Sequence, residues 1–119
     1  MELHNQETGK IGEDIATEYL SNKGYKIIAR NWRFKHYEVD IIASKNNLLH
    51  FVEVKTRNTL QFGYPEESIS KDKMKHLKNA AAAFQFQHPK WKYIQFDALA
   101  IQLKLGSAKE IYFIEDIYF

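Results

Sequence analysis

Cysteine is absent from all 119 residues, which excludes disulfides and thiolate metal sites and fits a reducing compartment. No apolar run approaches the roughly 20 residues needed to span a bilayer. The start, Met1-Glu2-Leu3-His4-Asn5-Gln6-Glu7, lacks the basic stretch and apolar core of a secretory leader. A soluble cytoplasmic protein is therefore expected. Charge of one sign is also scarce: a net charge of +2 with pI near 8.7 favours a polyanionic partner only mildly. The five histidines, His4, His36, His50, His76 and His88, show no metal-like spacing, so zinc is not expected. Repeats, low-complexity tracts and linkers are missing. A chain of 119 residues, 45% of them hydrophobic, builds one ordinary core, a single domain over residues 1–119.

Breakers are few, with two prolines and five glycines, and they punctuate the chain. Residues 5–22 read as an amphipathic helix, with Ile11, Gly12, Ile15, Ala16, Tyr19 and Leu20 on one half of the wheel and Glu13 just outside that arc. Gly24 ends it. A short strand follows over 25–29, and two apolar segments around Glu38–Ala43 and Leu48–Lys55 supply the second and third strands. Thr56 to Ser68, with Gly63 and Pro65, reads as a loop. Ser70 is the expected N-cap of a second helix that runs to Gln87, buries Met74, Leu77, Ala81 and Phe84, and is closed by Pro89. Strands are expected at 94–103 and 110–114, with Gly106-Ser107 as the turn. The resulting fold class is α/β, a mixed β-sheet with a helix-strand-strand-strand-helix-strand core, a further C-terminal strand, the fourth strand parallel to the third, and helices on the faces.

Charges in the middle of strand-like segments need a reason, because a carboxylate taken out of water costs several kcal/mol unless a cation compensates it. Alternation puts Leu49, Phe51, Glu53, Lys55 and Arg57 on one face of the third strand, and Glu38, Asp40 and Ile42 on one face of the second. If Asn46-Asn47 forms a two-residue hairpin turn, Ser44 pairs with Leu49, Ile42 with Phe51, Asp40 with Glu53 and Glu38 with Lys55. Directly opposed side chains have Cβ atoms roughly 4.5–5.5 Å apart, and like charges there are destabilising. Asp40 facing Glu53 is a liability unless a cation sits between them. Two carboxylates with a lysine beside them suit metal-dependent cleavage of a phosphodiester.

The element order, with Asp40 on the second strand and Glu53-x-Lys55 on the third, resembles the restriction-endonuclease-like nucleases of the PD-(D/E)xK class. A closer resemblance covers nearly the whole chain. Gly9-x-x-Gly12-Glu13-x-x-Ala16, Gly24-Tyr25, Arg30-Asn31, Glu38-Val39-Asp40-Ile41-Ile42-Ala43, Phe51-Val52-Glu53-Val54-Lys55-Thr56-Arg57, Lys73 and Phe96-Asp97 look like the pattern of the YraN-like family of small bacterial proteins. The order of these motifs is also similar to that of archaeal Holliday junction resolvases. Val39 stands where the wider class often has proline. The resemblance implies a catalytic set of Glu13, Asp40, Glu53 and Lys55, with Asp40 and Glu53 binding Mg²⁺ or Mn²⁺ and Glu13 contributing to a second ion or to its water. Oxygen ligands suit those ions, which commonly take one or two carboxylates plus water and phosphate.

The expected activity is hydrolysis of DNA phosphodiesters by a metal-dependent endonuclease, structure-specific or junction-resolving, in DNA repair or recombination. A catalytically silent nucleic-acid-binding adaptor and an RNA-directed nuclease are the rival expectations. Lys71, Lys75 and Lys78, at i, i+4, i+7 spacing opposite the apolar stripe, form either a solvated face or a track for DNA phosphates, while Lys73 sits at the stripe's edge near Leu77 and Ala80 as a site-proximal contact. Arg57 extends the charged face toward phosphate or solvent. Glu38 is expected to partner Lys55, and Asp97 to make a structural hydrogen bond. Trp32 and Trp91 belong to core or rim before base stacking. A homodimer is expected from the resolvase resemblance, with the apolar tail Ile114–Phe119 either a contact or packed on its own sheet.

Overall fold

The structure, a computed structural model, describes residues 5–57, 70–104 and 107–117, the side chains of 5–8 and 109 excepted. Helix α1 (Asn5–Asn22) leads into strands β1 (Lys26–Phe34), β2 (Tyr37–Lys45) and β3 (Leu48–Arg57), followed by helix α2 (Lys71–Gln87) and strands β4 (Ile94–Lys104) and β5 (Ser107–Ile114). The five strands form one sheet in the order β1-β2-β3-β4-β5, antiparallel except for β3 beside β4. This is the mixed α/β sheet expected from the sequence. No helix among the described residues is long and apolar enough to cross a membrane.

Local chemistry sets the boundaries. Gly24 adopts φ +91, and behind it the Tyr25 N–H reaches back to Leu20 O at 3.0 Å, closing α1. Asn46 and Asn47 both have positive φ, 54 and 64, as a two-residue hairpin turn requires, and Lys45 pairs with Leu48 across it. Ser70 caps α2, its side chain accepting from the Lys73 N–H at 3.1 Å. The outer strands run longer than their apolar pattern suggests: β1 continues to Phe34 and β5 begins at Ser107. Both are edge strands, whose outward row need not be apolar, so periodicity under-reads them. β3 also outlasts its apolar run, pairing Thr56 with Ile101 and Arg57 with Gln102, while residues 58–69 of the expected loop lie outside the described residues.

Alternate residues of β3 feed two cores. Leu49 and Phe51 meet Met74, Leu77, Ala81 and Phe84 of α2, whereas Val52 meets Ala16 and Leu20 of α1 together with Leu99 and Ile101 of β4. Trp32 packs against the α2 side, edge-on to Phe84 at 5.4 Å, and is a rim residue of that core. Ile117 is buried there as well, its N–H bound to Phe96 O at 2.7 Å, so the described part of the C-terminal tail covers its own sheet. Tyr118 and Phe119 lie outside the described residues.

Asp97 anchors this tail. Fully buried, it meets His50 Nδ1 at 2.6 Å through Oδ2, and through Oδ1 accepts from Gln95 Nε2 at 2.8 Å and the Asp116 N–H at 2.9 Å. The structural hydrogen bond expected of it is thus a three-way junction. Asp97→Ala strands buried His50 and two part-buried donors, and a buried polar group left unpaired costs about 1–3 kcal/mol. We expect a loss of roughly 3 kcal/mol or more in urea denaturation, with Asp97→Asn closer to the parent because one acceptor oxygen survives. Equal midpoints for parent and Asp97→Ala would remove Asp97 as an anchor.

Candidate active site

The β2–β3 hairpin keeps the expected register, with Ser44 opposite Leu49 and Ile42 opposite Phe51, and its last paired residues are Ile41 and Val52. One step further the ladder changes character. The Val54 N–H donates to Asp40 Oδ2 at 2.8 Å, so a side chain has taken the place of a strand carbonyl. On the other flank of β2, Asn31 takes a left-handed φ of 49 between the pairs Arg30–Ile41 and Trp32–Val39. Asparagine is one of the few residue types that adopt this region readily. The irregularity also corrects the expected facing of β2: Val39 joins Ile42 in the α2-side core, while Ile41 and Ala43 lie on the α1 side. Strict alternation fails where the β2–β3 pairing ends at Ile41 and Val52 and Asn31 of β1 turns left-handed on the other flank.

Asp40 and Glu53 come together as expected. The Glu53 side chain is only 5% exposed, and its carboxyl is pushed up to about 7, first by burial and then by the Asp40 charge. Asp40 is also raised by burial, and the Val54 N–H, the Lys73 charge and a hydrogen bond with the Glu53 carboxyl pull the other way. Two buried carboxyl groups side by side cannot both ionise cheaply, so the second of them gives up its proton only well above the ordinary carboxylate range. Lys73 completes the arrangement from α2, its Nζ 3.0 Å from Glu53 Oε1.

Beside this pair opens a pocket of about 320 Å³ lined by Gly9, Glu13, Asn31, Glu38, Asp40, Val54 and Thr56. Helix α1 supplies Glu13 because Gly12 lets the helix lie directly on Thr56 of β3. Glu13 Oε1 is buried without a hydrogen-bond partner, an arrangement that natural proteins rarely leave uncompensated. Burial and the Asp40 charge raise the Glu13 carboxyl, while Arg30 and the Asn31 side chain offset part of the shift. Oxygen donors that repel one another fit a hard cation. Among the described residues no three His, Cys, Asp or Glu side chains form a ready-made cage. An ion here would therefore use one or two carboxylates, with water and phosphate oxygens completing its shell, which is how Mg²⁺ is ordinarily bound.

The remaining sequence-selected residues sort by position. Lys55 is exposed two residues beyond Glu53 and reaches it only through space, and Arg57 is half-buried at the end of β3. Lys71 and Lys75 are exposed on α2, whereas Lys78 is partly buried and has a partner. Glu38 does not serve Lys55. It pairs with Arg33 at 3.5 Å, its register neighbour on β1, and both are too exposed for the pair to contribute much. Asn31, a wall of the pocket, enters the sequence reading only within the Arg30-Asn31 motif and without a role in the site, although asparagine is the residue type that tolerates left-handed φ. The Lys73–Glu53 contact was foreshadowed only by the position of Lys73 at the apolar edge.

A mixed α/β domain with carboxyl groups gathered where a strand pair breaks off is the class that fold and site define. Residues 12–101 match the family described as "Uncharacterised protein family UPF0102", and the chain belongs to that family. It is 42% identical to a UPF0102 protein of Dictyoglomus thermophilum over 85% of this chain and 86% of the relative, and 44% identical to one of Caldicellulosiruptor saccharolyticus over 87% and 88%. A Flavobacterium johnsoniae relative is 40% identical over 100% of this chain and 98% of its own. Among solved structures, SfsA of Pyrococcus furiosus in complex with Ca²⁺ aligns with a TM-score of 0.41 at 19% identity, over 92% of this chain and 63% of that one.

Proposed function

We propose that this protein is a metal-dependent endonuclease of the restriction-endonuclease-like class that hydrolyses DNA phosphodiesters. The observation that carries the reading is the unpartnered Glu13 Oε1 in a pocket it shares with Asp40, beside a Glu53 carboxyl that burial and Asp40 hold near 7. Such a site is self-repelling until a cation arrives. Asp40 and Glu53 would hold Mg²⁺ or Mn²⁺, with Glu13 reaching a metal-bound water or a second ion, and the metal would supply Lewis-acid polarisation of the phosphate and charge neutralisation. Lys55, exposed two residues beyond Glu53, would meet negative charge that develops on a phosphate oxygen. The basic residues of α2, with Arg57, give the phosphate backbone a track leading to the site. The resolvase resemblance makes a four-way junction one substrate to test beside nicks and flaps, and cutting it symmetrically would take two copies of the chain.

A panel of labelled four-way junction, flap, nicked and linear DNA, with matching RNA, incubated with Mg²⁺ or Mn²⁺, tests this directly. Cleavage of DNA is expected, and it should vanish in the Asp40→Asn, Glu53→Gln double variant together with Mn²⁺ binding. Cleavage confined to RNA would reassign the substrate. Binding without cleavage of any substrate would make the protein an adaptor, and unchanged Mn²⁺ affinity in the double variant would remove the metal site.

A further inference from the structure

Lys73 stands where a cation bound by Glu53 would stand. Its ammonium is 3.0 Å from Glu53 Oε1, which lies on a side chain only 5% exposed, while its own side chain is 50% exposed. It is the principal group offsetting the burial of Glu53, and it acts on Asp40 as well; Lys55 affects Glu53 less. The backbone beneath it is fixed, since Ser70 caps its N–H and the next residue, Met74, is buried in the core. The stem is the movable part. A lysine is a compact charge on a flexible four-carbon chain, and a half-exposed one leaves its partner at small cost.

A divalent ion on the Asp40–Glu53 pair and an ammonium within hydrogen-bond distance of the same oxygen exclude each other, because two such charges repel strongly away from bulk water. We infer that Lys73 is an exchangeable internal counter-ion: it neutralises Glu53 in the empty protein, is displaced when a divalent ion binds, and then takes a nucleic-acid phosphate beside the site. This rests on the proposed metal-dependent nuclease and adds to it a device that sets metal affinity. The resident ammonium weakens capture of the bare ion. A phosphate that draws Lys73 away removes the competitor, so ion and nucleic acid strengthen one another's binding.

Calorimetric titration with Mn²⁺ alone, at pH 8, separates the possibilities. Lys73→Met keeps the stem and removes the charge, and it should bind Mn²⁺ about five- to tenfold more tightly than the parent, since a competing cation of about 1 kcal/mol has been removed. Lys73→Gln should move in the same direction, which guards against a fault peculiar to methionine, and Lys73→Arg should return toward the parent. Lys90→Met, which removes an exposed lysine outside the site, should leave Mn²⁺ affinity within about twofold. With Mn²⁺ present, Lys73→Met should bind DNA more weakly, its log-affinity slope against log salt smaller by about 1. Mn²⁺ affinity unchanged or weakened in both Lys73→Met and Lys73→Gln overturns the counter-ion role while leaving the nuclease reading intact. A parent protein that takes up no Mn²⁺ at all overturns both.

Discussion

Glu53→Gln is expected to make the protein more stable at pH 8 while silencing the proposed site. In the folded chain the Glu53 carboxyl sits near 7 instead of the ordinary 4.5, chiefly because it is buried. The folded state therefore holds more protons than the unfolded state between those two values, and its stability falls as pH rises through that window. Well above pH 7 the full penalty applies, on the order of 3 kcal/mol for a shift of this size. Glutamine has nearly the same shape and no charge to desolvate. Its amide can donate to Asp40 and its carbonyl can accept from Lys73, so neither neighbour is stranded.

The variant should accordingly match the parent near pH 4.5 and exceed its melting temperature by roughly 5–10 °C at pH 8, given the size of the domain. Mg²⁺ or Mn²⁺ at millimolar concentration should stabilise the parent and leave the variant nearly unaffected, because a ligand stabilises only the state that binds it. Thermal melts at the two pH values, with and without metal, check both statements. Identical melting temperatures for parent and variant at pH 8 would show that Glu53 carries no burial penalty, and the electrostatic account of the site would fall. A stabilising Glu53→Gln would mark Glu53 as kept for a role other than stability.

The same residue shows where sequence reading works. A glutamate inside an apolar run is legible because a buried charge violates the pattern around it, and the hairpin register that brings it to Asp40 follows from Asn46-Asn47 and the alternation of Ile42 and Phe51. The two helices are legible for the same reason: their stripes are regular, and Gly24, Ser70 and Pro89 stop or start them. What stayed hidden depends on contacts between elements distant in the chain. Lys73 reaches Glu53 only after α2 has packed on the sheet, and no local signal distinguishes it from Lys71 or Lys75 beyond its place at the stripe's edge. Glu38 turned to Arg33 because β1 runs on to Phe34, a length its mixed composition does not advertise. Val39 packs on the α2 side with Ile42, against strict alternation, next to the left-handed Asn31 of the neighbouring strand. Regular pattern predicts regular structure, and the site lies where regularity breaks.

Gly12→Ala is expected to damage fold and site together. A methyl group at position 12 would lie 1.7 Å from Thr56 Oγ1, 2.8 Å from its Cβ and 2.9 Å from its Cγ2. The hydroxyl can rotate away, but the Thr56 Cβ is fixed to a strand that pairs with β4, so α1 must lift off the sheet. Overpacking of this kind costs roughly 1–3 kcal/mol or more, and alanine's better helix propensity returns only about 1 kcal/mol. Gly12 is followed directly by Glu13, and Thr56 is itself a wall of the pocket, so lifting the helix withdraws the Glu13 carboxyl from Asp40. We expect a lower urea midpoint and Mn²⁺ binding weakened about tenfold or more, since each lost carboxylate ligand removes a strong charge-assisted contact. Companion changes grade the effect. Thr56→Gly should restore part of the lost stability in the Gly12→Ala background, and Thr56→Ala less, because its Cβ remains too close. Gly9→Ala is the internal control, for nothing lies within 4 Å of a methyl group there, and it should be neutral or stabilising by up to about 1 kcal/mol. A Gly12→Ala protein with the parent's midpoint and metal affinity would mean that α1 does not depend on this close approach to hold Glu13 in place.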